Sequence, residues 1–289
     1  MLAANRPKPP TVKHRRLAAE LRRLRANAQL SREDVEERTG VNEGTLYRIE
    51  TARSKPQKRT LVALLDLYQA DDAMRQDLLA IAKTADDQGW LRPYHAELPE
   101  EYAAYISFEA EATAVRNYES LYIPGLLQTE DYARAVIRGT LPTATQTEVE
   151  QRVQARIERQ ERLSGESPVK LWAIMDEAAA HRTAGGPAVM HAQLAHLIEA
   201  ADQPNITLQV IPFDAGAHPG MPGSFIYMEF GEPNPDLVYV DTLAGDLFLE
   251  TDADLALYAS MFDHLRAVAL SPAQAARLVS TLMKEMEKR

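Results

Sequence analysis

The chain has no cysteine among its 289 residues, so neither a disulfide nor a thiolate metal site is open to it. That composition suits a reducing cytosol. No stretch approaches the roughly 18 uninterrupted apolar residues of a membrane span. The opening MLAANRPKPPTVKHRR carries basic residues but lacks the apolar centre of a signal peptide. A cytoplasmic, nucleoid-associated protein without a membrane partner is expected. Also missing are Gly-x-Ser-x-Gly, a Walker loop and His-Glu-x-x-His. His191 and His196 stand five positions apart and would face away from one another on a helix. No catalytic residue, no metal site and no cofactor is expected, and no internal repeat or long low-complexity tract is present.

What is present reads as a globular protein, 45% hydrophobic and 26% charged, with length for one large domain or two ordinary ones. The charge divides unevenly. Residues 1–68 hold 15 Lys and Arg against 8 Asp and Glu, and the remainder holds 17 against 34. A net of +7 is followed by one of −17, within a total of −10. Such asymmetry points to a basic module for a polyanion and an acidic module with another task.

Pro7, Pro9 and Pro10 mark residues 1–12 as a disordered arm. Leu17, Leu21, Leu24 and Leu30 begin a helical stripe from about Arg15, broken after Ala28. Ser31-Arg-Glu-Asp reads as a capping box opening a second helix that Gly40 closes. Asn42 caps a third, which ends near Ala52. Arg53-Ser-Lys-Pro is a loop, because the residue before Pro56 is pushed out of the helical region. Further helices are expected at about 57–68 and 71–85, giving a five-helix domain over 13–85.

A linker is expected at 86–98, and an α+β domain over 99–289. Helices are predicted near 99–117, after the turn at Ile123-Pro-Gly, and at 145–163, 188–201, 253–268 and 272–287. Strand chemistry marks Leu171–Met175, Ile206–Ile211, Ser224–Phe230, Leu237–Val240 and Leu247–Glu250. The fold class is mainly α and multidomain, the second domain carrying a small sheet of about five strands.

Residues 31–52 supply a positioning helix, a tight turn and a second helix suited to a DNA groove. Val35, Val41, Leu46 and Ile49 are spaced to bury between them. Asn42, Glu43, Gly44, Thr45, Tyr47 and Arg48 fall toward the outward side. Arg48 suits guanine or phosphate, Tyr47 and Thr45 a phosphate or thymine methyl, and Glu43 a cytosine amine. Arg32, Arg53, Lys55 and Lys58 are candidate phosphate holders, with Arg59 beside them. Arg15, Arg16, Arg22 and Arg23 form a second basic run, as readily a solvated face as a phosphate contact.

Leu21, Leu24-Arg25, Leu30-Ser31, Val35, Gly40-Val41-Asn42, Leu46, Ile49-Glu50, Pro56 and Leu61 resemble the Cro and lambda-repressor-like helix-turn-helix family, also called the xenobiotic-response-element family. Two positions depart from it: Arg32 stands where the family usually has Gln, and Glu36 where it usually has Ala. The resemblance implies that Arg25 and Glu50 pair structurally, bracing the first helix against the third. Residues 118–135, YESLYIPGLLQTEDYARA, open a second resemblance. It continues through Arg152, Arg156, Arg159-Gln160, Met175-Asp-Glu, Gly185-Gly186, Val210-Ile-Pro, Gly216-Ala-His and Asp236-Leu-Val-Tyr-Val. This run is similar to a domain of unknown function in actinobacterial regulators.

Together the resemblances imply a sequence-specific transcriptional regulator of double-stranded DNA; because a single such module makes few contacts, a homodimer on a near-palindromic site is expected. They also imply a second domain that senses an effector or a small partner protein encoded nearby. Candidate partner or effector residues are Pro124, Gly125, Leu126, Leu127, Gln128, Arg156, His218, Met221 and Phe225. Exposed apolar groups on these loops would mark contact; folding back over the sheet is the alternative. Arg152, Arg156 and Arg159 line one helix face, either to dock an anion or an acidic partner or as a solvated or salt-bridged stripe that needs none. Asp176-Glu177 either begin a helix or supply active-site carboxylates. A ligand-responsive receptor, an antitoxin-like binder of a small partner and an enzyme fused to a DNA reader stand as alternatives. The helices at 145–163 and 272–287 are candidates for the dimer interface or for core.

Overall fold

A computed structural model describes residues 10–84, 98–242 and 245–286. The described chain forms two compact units, divided within the stretch that follows Thr84. Residues 1–9 of the expected arm and 86–97 of the expected linker lie outside the described residues.

The first unit contains α1 (Val12–Asn27), α2 (Arg32–Thr39), α3 (Glu43–Glu50), α4 (Lys58–Leu67) and α5 (Asp72–Thr84). Helix α1 begins ahead of the apolar stripe. Thr11 accepts a hydrogen bond from the His14 amide and caps it, and Val12 is buried, so the expected arm stops short of both. In α2, Ser31 and Asp34 exchange side-chain-to-amide bonds, the reciprocal arrangement that satisfies two orphan donors. Gly40 ends α2 at φ +70, a left-handed conformation that favours glycine. Leu17, Leu21, Val35, Leu46, Ile49, Leu61, Leu64 and Leu65 form the core, with Val41 packed against it and partly buried.

The second unit opens with α6 (Glu100–Glu111) and β1 (Ala114–Glu119). The helix expected over 99–117 therefore ends early, and its last part is a strand. Ala112 turns the backbone to an extended conformation, and β1 lies between β2 (Lys170–Asp176), in parallel, and β4 (Phe225–Glu229), antiparallel. Its polar residues are matched within the sheet: Arg116 pairs with Glu229 at 2.6 Å, and Asn117 donates to the Phe225 carbonyl at 3.4 Å.

With β3 (Ile206–Ile211), β5 (Leu237–Val240) and β6 (Leu247–Leu249), the sheet has six strands in the order β3-β2-β1-β4-β5-β6. Strands β1 to β3 are parallel, as crossover helices require, and β4 to β6 form an antiparallel meander. The crossovers carry α7 (Glu130–Thr140), α8 (Gln146–Arg159), α9 (Glu177–His181) and α10 (Pro187–Ala201); α11 (Asp252–Val268) and α12 (Pro272–Met286) follow the sheet. Phe262 and Leu265 of α11 cover Tyr118, Ile174, Phe225 and Val238. Helix α12 packs on α10 and β3, burying Ala275, Val279, Leu282 and Met286. Val149 and Val153 of α8 are buried with Ile137 of α7. The apolar stripes considered for a dimer interface are thus occupied inside the unit.

Candidate nucleic-acid interface

Helix α3 divides its residues cleanly. Leu46, Ile49 and Glu50 are buried, while Asn42, Glu43, Gly44, Tyr47 and Arg48 are exposed and Thr45 is half-buried. Arg48 Nη2 donates to Thr45 Oγ1 at 3.0 Å, which lays its guanidinium along the outward face. Asn42 Oδ1 accepts from the Gly44 amide at 3.0 Å, so this side chain is engaged as the helix cap. An added Cβ at Gly44 would stand 3.3 Å from that oxygen.

Tyr47 organises the basic groups. Its ring, 41% exposed, lies 5.3 Å from the Arg32 guanidinium and 5.6 Å from that of Arg53. The ring quadrupole attracts and holds cations placed over its face. Arg53 and Lys58 are exposed, and Lys55 is half-buried. Arg32 differs from the expected phosphate holder, because its Nε donates to Glu50 at 2.9 Å, leaving only its terminal nitrogens to reach outward.

Glu50 is the hub behind this face. Its side chain is fully buried and accepts from Arg25 Nε at 2.6 Å and Arg25 Nη2 at 3.0 Å, as well as from Arg32. Arg25 also donates to the Leu30 carbonyl at 2.8 Å, tying α1, the α1–α2 turn and α3 together. Its hydrogen bonds with Glu50 raise the Arg25 pKa against the opposing effect of burial. Glu36 has a role that sequence reasoning missed. Its carboxylate accepts from the Glu43 amide at 2.7 Å and from Asn42 Nδ2 at 3.1 Å, closing the α3 N-terminus from α2. The departure from the usual Ala was the available signal.

The second basic run is not one exposed face. Arg15 is buried, Arg16 is paired with Asp77 of α5, and Arg23 pairs with Glu20 one turn away; Arg22 is exposed.

In the second unit, Pro124, Leu126, Leu127 and Gln128 are buried. The expectation of exposed apolar contacts there is corrected: the segment folds inward, where Gln128 Nε2 donates to the Ile123 carbonyl and Gln193 Nε2 to that of Leu127. Met221 is 66% exposed. His218 Nδ1 accepts from the Gly220 amide at 3.3 Å, which leaves Nε2–H to donate to Asp176 at 3.2 Å. Asp176 also caps α9 through the Ala178 amide, so Asp176 begins a helix and fastens a loop. The arginine stripe is held within the unit, Arg159 by a salt bridge and Arg152 and Arg156 half-buried. Arg152 lies over Tyr102, Arg156 donates to Gln128 at 2.7 Å, and Arg159 is buried on Glu109 at 2.5 Å. Gly125, Gln128, Arg156 and Phe225 line one cavity of about 350 Å³, together with Glu119, which sequence reasoning passed over.

The two short helices joined by a left-handed glycine, with a basic rim and an outward face, define a helix-turn-helix unit, the class used to bind DNA. Residues 16–78 match the model of the family described as Helix-turn-helix domain. Residues 102–281, more than half of the chain, match the Domain of unknown function (DUF5753), and the chain belongs to that family. No curated protein and no solved structure matches it. No helix among the described residues is long and apolar enough to cross a membrane.

Proposed function

We propose that the chain is a sequence-specific transcriptional regulator that reads double-stranded DNA with the outward face of α3. The observation that carries this reading is the exposure of Glu43, Gly44, Tyr47 and Arg48 on a helix whose opposite side is core. Arg48 reads a base edge, Thr45 and Tyr47 support it, and Arg53, Lys55 and Lys58 hold phosphates. Arg32 contributes to the same rim while bound to Glu50.

One module of this size makes few contacts, so tight binding needs two modules on a near-palindromic site. A homodimer is the natural arrangement, with half-sites about one helical turn apart. The second unit serves as the sensing part, for an effector or a small partner protein. Its acidity opposes direct contact with DNA. Footprinting of the full chain on genomic fragments tests the reading. Protection of two related half-sites about 10 base pairs apart, centre to centre, is expected; uniform coating of any duplex would contradict it.

A further inference from the structure

The cavity in the second unit lies where the strand order reverses. Glu119 and Ser120 leave the carboxyl end of β1, which has parallel β2 on one side and antiparallel β4 on the other. In open α/β sheets this is where ligands bind. At about 350 Å³ the cavity matches the lower end of small-molecule sites.

Its lining carries charges of both signs. Among the described residues Arg156 hydrogen-bonds neutral partners, Nη1 donating to the Gln128 amide oxygen at 2.7 Å with the Tyr102 phenol as its other neighbour, while its charge also acts on Glu119. Its Nε is buried without an acceptor. Arg159 beside it differs, being gripped by Glu109 at 2.5 and 2.8 Å. Glu119 and Asp241 supply its negative charge, and among the described residues neither lies within ion-pair distance of a cation. Glu119 accepts only from neutral groups, Asn117 Nδ2 at 3.3 Å and the Ser224 hydroxyl. Tyr122, Val136, Phe225 and Ile226 add apolar and aromatic surface to a lining that also holds hydroxyls and an amide. Among the described residues Arg156 and these carboxylates share one cavity without a direct ion pair, although the Arg156 charge reaches Glu119, and a ligand carrying both charges would bridge them.

We propose that this cavity binds a free α-amino acid with an apolar or aromatic side chain, its carboxylate held by Arg156 and its ammonium by Glu119 and Asp241. The inference deepens the sensing role given to the second unit and does not require the DNA assignment. Burial raises the Glu119 pKa to about 7, so at neutral pH its carboxyl is part protonated in the empty site. An arriving ammonium favours the ionised form, and binding releases a proton.

Calorimetry on the full chain tests this with L-phenylalanine, L-tyrosine, L-tryptophan and L-leucine as probes. Phenethylamine lacks the carboxylate and 3-phenylpropionate lacks the ammonium. At least one amino acid is expected to bind, with the analogue lacking either charge about tenfold weaker or worse. Arg156→Gln and Glu119→Gln should each abolish that difference for the charge they serve, while circular dichroism and thermal unfolding of each variant confirm a folded second unit. Binding of 3-phenylpropionate as tight as L-phenylalanine would make this an anion site, and equal binding of phenethylamine a cation site. Either result, or no binding by any of the four amino acids, overturns the proposal. Duplex binding measured without the probes is untouched by all three, so failure here and failure of the DNA reading are distinguishable.

Discussion

Arg25 grips both carboxylate oxygens of Glu50, at 2.6 and 3.0 Å, where Glu50 has no exposed side-chain surface. The pair joins α1 to α3, so the angle at which α3 is presented depends on it. Glu50→Ala leaves two arginines facing an apolar gap and is expected to destabilise the first unit by about 3–5 kcal/mol. Arg25→Lys keeps the charge but loses the two-pronged geometry, and should lie between the two. Hydrogen exchange of the α1 and α3 amides measures the loss. Native protection in Glu50→Ala would show that the pair is not a brace.

Glu36 places a negative charge against the N-terminus of the helix proposed to meet DNA. Removing its acceptor in Glu36→Ala is expected to cost about 1 kcal/mol, as loss of a helix cap does. Glu36→Gln keeps an oxygen for the Glu43 amide and removes the repulsion of phosphates. It should bind duplex more tightly than the parent at low salt, with the gap closing as salt rises. Fluorescence anisotropy at several ionic strengths checks this; weaker binding by the Gln variant would contradict it.

Arg53 and Lys58 differ from Arg48 in the kind of contact expected. Replacing either by Ala should weaken binding to all duplexes alike and reduce the slope of log affinity against log salt by about 1. Titration across salt concentrations, on an unrelated duplex and on the selected site, reads both effects. An unchanged slope would remove the residue from the phosphate rim.

Glu119 gives the second unit a pH dependence of known sign. Burial lifts its folded pKa from 4.5 to about 7, so between those values the folded state holds more protons than the unfolded one. Stability from this group falls as pH rises through the window and is lowest above about 7. Glu119→Gln lacks the effect and should gain on the parent between pH 5 and 8, by roughly 3 kcal/mol at most. Thermal unfolding at the two pH values measures it; parallel behaviour of the two proteins would contradict it.

Where apolar spacing and capping chemistry coincide, the sequence was legible. Ser31 with Asp34, Gly40 and Asn42 mark the helix ends of the first unit, and all three boundaries are observed. Strand β1 is hidden because it carries Arg116, Asn117 and Glu119 in six residues, and the partners of Arg116 and Asn117 come from β4, more than a hundred positions away. Long-range pairing of that kind leaves no local period to read. The same limit applies to the cavity. Gly125, Gln128, Arg156 and Phe225 were singled out one by one, but only the sheet brings them beside Glu119. Arg15 and Arg16 look like a basic face in sequence; burial of one and pairing of the other are set by the fold.

The account depends on the outward face of α3 choosing among DNA sequences, and selection of bound duplexes from a random library tests that most directly. The parent chain should enrich one near-palindromic site, and Arg48→Ala should lose about 1–3 kcal/mol on it and relax the preference at one position in each half-site. Enrichment of the same site with undiminished preference by Arg48→Ala, in a folded protein, would contradict the assignment of α3 as the reading helix.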